Sequence, residues 1–190
     1  MSNMLVMMGH PLDDSYCAAM ADRYTEGLES AGHEIRRYNL GDLQFNPILE
    51  KAYREDQELE PGIQEIQQAI TWADHITFVY PMWWASPPAI VKGLIERTLL
   101  PGYAFRYNRG SFKIDKYLTN KTARLIVTMD SPPWYYKLKV GDPNYKLMKD
   151  ILSFCGVKTV KKSYFGSVKT SSAEKRDNWL KQVYDIGQKE

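Results

Sequence analysis

Tyr80-Pro-Met-Trp-Trp-Ala-Ser-Pro-Pro88 is the stretch whose residue types and spacing best suit chemistry. It follows an apolar, β-prone run at 75–79 and leads into an amphipathic helical pattern at 88–99. A loop at the carboxyl end of a buried strand is where open α/β sheets bind ligands. Prolines 81, 87 and 88 fix φ and remove three backbone donors, so the amides left to Met82, Trp83 and Trp84 sit on a stiffened loop. Free N–H groups beside two indole faces suit a flat heterocycle with polar edges. A well-packed core turn is the alternative, because tryptophan is usually largely buried.

Two further loops have unusual chemistry. Gly9-His-Pro-Leu-Asp-Asp-Ser-Tyr-Cys17 runs from a strand pattern into a helix pattern. A helix N-terminus with unpaired amides attracts a phosphate, and His10 and Ser15 add donors. The loop lacks both G-x-G-x-x-G and G-x-x-x-x-G-K-[ST], so it is not a dinucleotide or triphosphate signature. A plain helix cap by Asp14 or Ser15 accounts for it equally well. Thr128-Met-Asp-Ser-Pro-Pro-Trp-Tyr-Tyr136 offers hydroxyls at Thr128 and Ser131 and aromatic surface at 134–136. The connection 101–122 carries Tyr103, Phe105 and Tyr107 at alternating positions, which share a side if the segment is extended. That side is a pocket wall, a small apolar core or a dimer contact.

Strand-like and helix-like stretches alternate around these loops. Strands are expected near 4–8, 34–38, 75–79, 123–129 and 157–165. Helices are expected near 16–31, 61–72, 88–99 and 142–155, and from a capping box at Ser171-Ser-Ala-Glu174 to 186. Residues 40–56 read as a surface excursion and 128–136 as a loop. The alternation argues for one domain over 1–190, an α/β flavodoxin-like three-layer fold. Its five-stranded parallel sheet has the order 2-1-3-4-5 and helices on both faces. That order puts the loops after strands 1, 3 and 4 at one edge.

Composition narrows the function classes. Hydrophobic residues make up 44% and charged residues 25%, ordinary for a globular chain. A net charge of +2 gives no footprint for nucleic acid, and the lysines at 137–139 and 158–162 read as solvated faces. Cys17 and Cys155 have no metal or redox spacing, which predicts reduced thiols, a cytoplasmic location and no metal site. The apolar start of the chain reads as a first strand rather than a signal peptide, and no apolar run approaches the roughly 18 residues of a membrane span.

Gly9-His10 with Ser15-Tyr16, the run from Tyr80 to Gly93, and Phe154-Cys-Gly-Val-Lys158 together resemble the flavodoxin-like NAD(P)H:quinone oxidoreductases. These include DT-diaphorase, the modulator of drug activity B type and the ancillary quinone reductases of potassium-efflux systems. The resemblance spans about residues 4–185. It implies a homodimer with a non-covalent flavin, FMN favoured over FAD because the chain is shorter than FAD-binding animal members. NAD(P)H would be the reductant and a small quinone the acceptor. By resemblance, His10, Ser15, Tyr16 and Cys17 would hold the flavin phosphate. Pro81, Met82, Trp83 and Trp84 would line the ring, with the amides of Trp83 and Trp84 at its N5/O4 edge. Thr128, Met129, Asp130 and Ser131 would stand beside the pyrimidine edge. Phe105 and Tyr107 match pocket tyrosines presented across the dimer interface, and Trp134 would join them against the substrate. Tyr107, Tyr136 or water would deliver the proton to the acceptor, and the sequence leaves these three open.

The chain departs from that family in places. Asp130-Ser131-Pro-Pro replaces a Gly-Gly pair, and Phe105 lacks the hydroxyl of the family's tyrosine. No histidine follows the fourth strand. Arg176 falls where FAD-binding members touch the adenylate. A non-enzymatic electron carrier and a regulatory subunit docked on a membrane transporter are the rival readings. Near-neutral charge and the aromatic connection favour an enzyme over a carrier.

Overall fold

The computed structural model describes residues 1–108 and 110–190. In chain order the elements are β1 (Asn3–Met8), α1 (Tyr16–Ser30), β2 (Glu34–Asn39), α2 (Pro61–Trp72), β3 (His75–Pro81), α3 (Ala89–Thr98), β4 (Phe105–Tyr107), β5 (Ile114–Lys116), β6 (Thr122–Thr128), α4 (Pro133–Val140), α5 (Pro143–Cys155), β7 (Thr159–Phe165) and α6 (Ala173–Gly187). Strands β2-β1-β3-β6-β7 form one parallel sheet in that order, so the expected 2-1-3-4-5 topology is what the chain adopts. Met4 pairs with both Ile35 and His75, and Ile76 with Ala123. The connections run in opposite directions from β1 and β3, which opens a crevice at their carboxyl ends.

Residues of alternating parity face opposite layers because the strand period is two. Leu5 and Met7 of β1, with Phe78, Tyr80, Leu125 and Val127, pack against Ile63 and Ile66 of α2, Val91 and Leu94 of α3, and Met148 and Leu152 of α5. Met4, Val6 and Met8, with Val79 and Ile126, pack against Met20, Tyr24 and Leu28 of α1 and Val183 of α6. Helices α1 and α6 touch through glycines. A Cβ at Gly27 would stand 2.2 Å from the Tyr184 carbonyl oxygen, and one at Gly187 would stand 2.5 Å from that of Tyr24.

The excursion after β2 is pinned by a buried cation. The Arg97 guanidinium, wholly enclosed, donates to Glu60 Oε2 (2.7 Å) and to the carbonyls of Asn46 (3.1 Å) and Glu58 (2.7 Å). Desolvation pushes the Glu60 carboxyl up, but the Asn46 amide and the Arg97 charge outweigh it and hold its pKa below the ordinary value.

Three expectations are corrected. Residues 133–136, expected as the end of a loop, instead open α4, which runs to Val140: Pro133 sits at N1, where a helix tolerates it, and Gly141 ends the helix at φ +73°. The cap of α6 is Ser172, whose hydroxyl accepts from the Lys175 amide, rather than Ser171 paired with Glu174. Within the aromatic stretch 103–107 the chain is extended only over 105–107. Tyr103 lies in a turn with its hydroxyl donating to the Gln67 carbonyl (2.7 Å), so it does not share the side of Phe105 and Tyr107.

Candidate functional site

Three loops meet at the carboxyl edge of the sheet. The first follows β1. Gly9 donates to the Val79 carbonyl (2.7 Å), and a Cβ there would collide with Val91 Cγ2 at 2.3 Å, so only glycine lets this loop close on α3. His10 Nδ1 lies within hydrogen-bonding distance of both the Leu12 amide (3.0 Å) and the Leu12 carbonyl (3.2 Å), which ties the ring to the loop's own backbone. Ser15 caps α1, its Oγ accepting from Ala18 N (3.2 Å). The amides of Tyr16 and Cys17 have no partner among the described residues. An anion at this end would receive two N–H groups and the positive end of the helix dipole.

The side chains of Tyr16 and Cys17 point elsewhere. The Tyr16 hydroxyl donates to the Arg176 carbonyl (2.8 Å) and is pushed up to about 12, mainly by burial. Cys17 is buried, its Sγ 3.2 Å from Thr128 Oγ1, and desolvation pushes the thiol up to about 11. It is a neutral thiol at ordinary pH. The contact ties the first turn of α1 to the end of β6.

The second loop is a tight turn. Trp83 and Ser86 exchange both backbone hydrogen bonds at 3.0 Å, and Met82 N donates to the Thr128 carbonyl (2.7 Å). Trp83 and Met82 therefore have no free amide, contrary to the sequence expectation. The free ones are Trp84 and Ala85, both held left-handed at φ +52° and +61°. Consecutive left-handed amides form the concave arrangement that receives anionic or carbonyl oxygens. Trp84 is fully exposed, while Trp83 packs edge-on against His10 with ring centroids 5.8 Å apart. The first and second loops thus touch. Pro81 is the last residue of β3 and is buried.

The third loop, 129–132, presents backbone. Met129 is buried in the core, its amide donating to the Phe165 carbonyl (2.9 Å). Asp130 and Ser131 are exposed, and their amides have no partner among the described residues. The helix that follows sends Tyr136 inward. Its hydroxyl accepts from the Asn144 amide (3.2 Å) and donates to the Ala85 carbonyl (3.5 Å). Burial raises its pKa above the ordinary phenol value.

Behind Tyr136 lies a buried polar cluster that sequence reading missed. Tyr80 donates to Asn144 Oδ1 (3.2 Å), and Tyr164 donates to Asp142 Oδ1 (2.6 Å). Lys162 pairs with the other Asp142 oxygen. Burial raises Asp142, but Lys162 and Tyr164 hold it below the ordinary carboxylate value. Asp142 stands at φ +64° and does not cap α5, because its carboxylate is committed to this cluster. The Pro-Asn pair after Asp142 was the only sequence signal, and it spoke of a helix start.

Phe105 and Tyr107 share one side of β4, with centroids 5.3 Å apart and Phe154 4.9 Å from Phe105. Phe105 is buried and Tyr107 is 62% exposed. With Tyr53, Lys92 and Ile151 they line an open groove of about 400 Å³. Trp134 is not in it; it stands on the outside of α4. His75 is at the opposite edge of the sheet, the first residue of β3. No group of three metal-ligating side chains occurs among the described residues.

The residues present fit a flavin: unpaired amides at a helix start for its phosphate, and a left-handed pair of amides beside exposed indole for its ring. Known proteins point the same way. The family described as having a flavodoxin-like fold matches residues 2–186. A Haemophilus influenzae protein called an NAD(P)H oxidoreductase is 33% identical, over 87% of this chain and 84% of its own. Rat ribosyldihydronicotinamide dehydrogenase [quinone] is 32% identical, over 98% and 92%. The solved NAD(P)H:quinone oxidoreductase of Methanothermobacter marburgensis superposes with a TM-score of 0.81 at 22% identity, over 98% and 96% of the two chains.

Proposed function

The chain belongs to the flavodoxin-like fold family, and we propose that within it the protein is a flavin-dependent NAD(P)H:quinone oxidoreductase. The observation that carries this reading is the convergence of three loops with unpaired amides on one crevice, Tyr16 and Cys17 on one side and Trp84 and Ala85 on the other. When bound, the flavin supplies the chemistry, taking a hydride from NAD(P)H and passing two electrons to a quinone or similar electrophile.

The chain's own groups bind, orient and stabilise. The α1 amides and His10 would hold the phosphate. Trp83 and Trp84 would flank the ring, and the amides of Trp84 and Ala85 would serve its polar edge. Because those amides are fixed before reaction, they stabilise charge there without reorganising. Asp130 and Ser131 would supply the opposite edge through their amides, while Thr128, its carbonyl taken by the Met82 amide, ties the second loop to the end of β6. Tyr136 has both its hydrogen bonds inside the protein, so its role is to hold Ala85 rather than to donate a proton. Tyr107, exposed beside the groove, is the hydroxyl left for the acceptor. In a homodimer it would complete the partner's site. FMN is the favoured form and FAD the alternative; the mass of the flavin released from the purified protein separates them. Both cysteines are free thiols, in keeping with a reducing cytoplasm.

The test is direct. Purified protein, or apoprotein with FMN or FAD, shows flavin absorbance that bleaches with NAD(P)H. Initial-rate lines at several quinone concentrations run parallel, and light scattering gives twice the chain mass. Failure to bind either flavin at micromolar concentration removes the reading. Intersecting lines remove the shared binding place for donor and acceptor.

A further inference from the structure

Helix α4 buries one side chain, Tyr136, and leaves most of its surface outside. Trp134, Tyr135, Leu138 and Val140 are all exposed, Trp134 by 68% and Leu138 by 82%. Trp134 and Leu138 stand one helical turn apart, and Tyr135 packs edge-on against Trp134. No other helix of the chain concentrates large exposed apolar groups in this way among the described residues. Lys137 and Lys139 alternate with them. Lys146, with its ammonium beside Gly141, and Lys149 continue the positive charge along α5. None of these four lysines forms an ion pair among the described residues. Between Asp130 and Asp150, exposed at its two ends, the stretch 131–149 has a single carboxylate, Asp142, and it is buried and committed to Lys162 and Tyr164.

We propose that α4 docks on an anionic bilayer surface. Trp134, Tyr135 and Leu138, which share the face opposite the buried Tyr136, would enter the headgroup region, and the four lysines would lie over lipid phosphates with their stems along the apolar boundary. The charge pattern selects this occupant. A second copy would meet the patch with itself across a twofold axis, setting four lysines against four. A bilayer offers negative charge and an apolar layer at once, matching both halves of the patch. The contact is peripheral, for no helix is long and apolar enough to cross a membrane among the described residues. Helix α4 follows directly from the 129–132 loop, so docking would bring the crevice to the layer in which long-chain quinones dissolve. That last consequence rests on the reductase reading; the docking itself does not.

The experiment is co-sedimentation of the full chain with phosphatidylglycerol-containing vesicles and with phosphatidylcholine vesicles. The chain is expected to pellet with the first only and to be released by salt. K137E/K139E is expected to weaken binding by more than about tenfold, since each lysine near such a surface contributes roughly a fivefold gain and reversal turns attraction into repulsion. L138Q is expected to weaken it as well. Both variants touch exposed side chains outside the crevice, and both should keep wild-type melting temperature, flavin content and activity toward a short, water-soluble quinone. Absence of vesicle binding, binding unchanged in K137E/K139E, or binding to polyglutamate but not to vesicles overturns the proposal. A fall in light-scattering mass on L138Q overturns it too, since that would mark the face as a contact between copies. Vesicle binding by a chain that holds no flavin would sink the reductase reading and leave the docking standing.

Discussion

Trp84 shows how far a residue's type and its placement can diverge. Two adjacent tryptophans suggest a buried wall, yet Trp84 is fully exposed at a left-handed φ of +52°. A non-glycine residue there is strained by about 1 kcal/mol or more, and the strain places its amide next to that of Ala85. Trp84→Ala is therefore expected to leave the melting temperature of the apoprotein almost unchanged, within about 0.5 kcal/mol. Flavin affinity should fall by about 1–3 kcal/mol, the size of heterocycle stacking on an aromatic face. Parallel melting curves and flavin titrations separate the two effects, and equal affinity would take Trp84 out of the site. His10→Ala is the matched case on the phosphate side. Losing one donor should weaken flavin binding by about 1–3 kcal/mol while the rate of the bound form changes little. Tyr107→Phe, by contrast, should spare flavin binding and slow only the quinone half-reaction in stopped-flow.

Elements, not residues, decide where those side chains stand. The 83–86 turn keeps its shape because Tyr136 on α4 holds the Ala85 carbonyl, Asn144 on α5 holds Tyr136, and Asp142 with Tyr164 fixes the start of α5. Asp142→Asn should lower stability by about 2 kcal/mol, roughly 4–8 °C in a chain of this size, by removing the charge that Lys162 and Tyr164 meet. Flavin should bind more weakly in the same variant although residue 142 lies in the β7-facing cluster behind the turn. A loss of stability with unchanged flavin affinity would show the cluster to be structural only. Much of this scale was legible beforehand. Short continuous apolar runs marked the central strands, as expected of a parallel sheet covered on both faces, and Ile63, Ile66 and Ile70 marked α2 by their helical spacing. The misses share a cause. Helix α4 buries a single residue, so it has no apolar periodicity to read, and only Pro133 and Gly141 mark its ends. The free amides fell one residue later than expected because the Trp83–Ser86 bond pair is a matter of turn geometry. The Asp142 cluster joins residues from β3, α5 and β7, and no local pattern in the sequence links them.

The whole molecule is expected to weaken in mild acid, through His75. Its Nδ1 is hydrogen-bonded to Thr122 Oγ1 (2.7 Å) and its Nε2 is buried without a partner. Desolvation lowers its pKa to about 4. An unfolded histidine protonates near 6.5, so between about pH 6.5 and 4 the unfolded chain takes up a proton that the folded one refuses. The contribution is complete above pH 6.5 and is lost as pH falls through that window, about 3 kcal/mol in all. Urea unfolding at pH 7 and pH 4.5 should show the loss in the wild type and a flatter profile in His75→Gln; identical profiles would mean the ring is already charged when folded. The contact between α1 and α6 has a consequence of another kind, in time. Gln188 reaches Ser30 across 158 positions, and Gly27 and Gly187 let the two helices touch backbone to backbone. At about 5–20 residues per second, a ribosome needs roughly 8–30 s to make that span. Throughout it, Met20, Tyr24 and Leu28 have no α6 to cover them. The nascent chain is thus a client for chaperones until its last helix emerges, and cofactor loading at the start of α1 belongs after translation rather than during it.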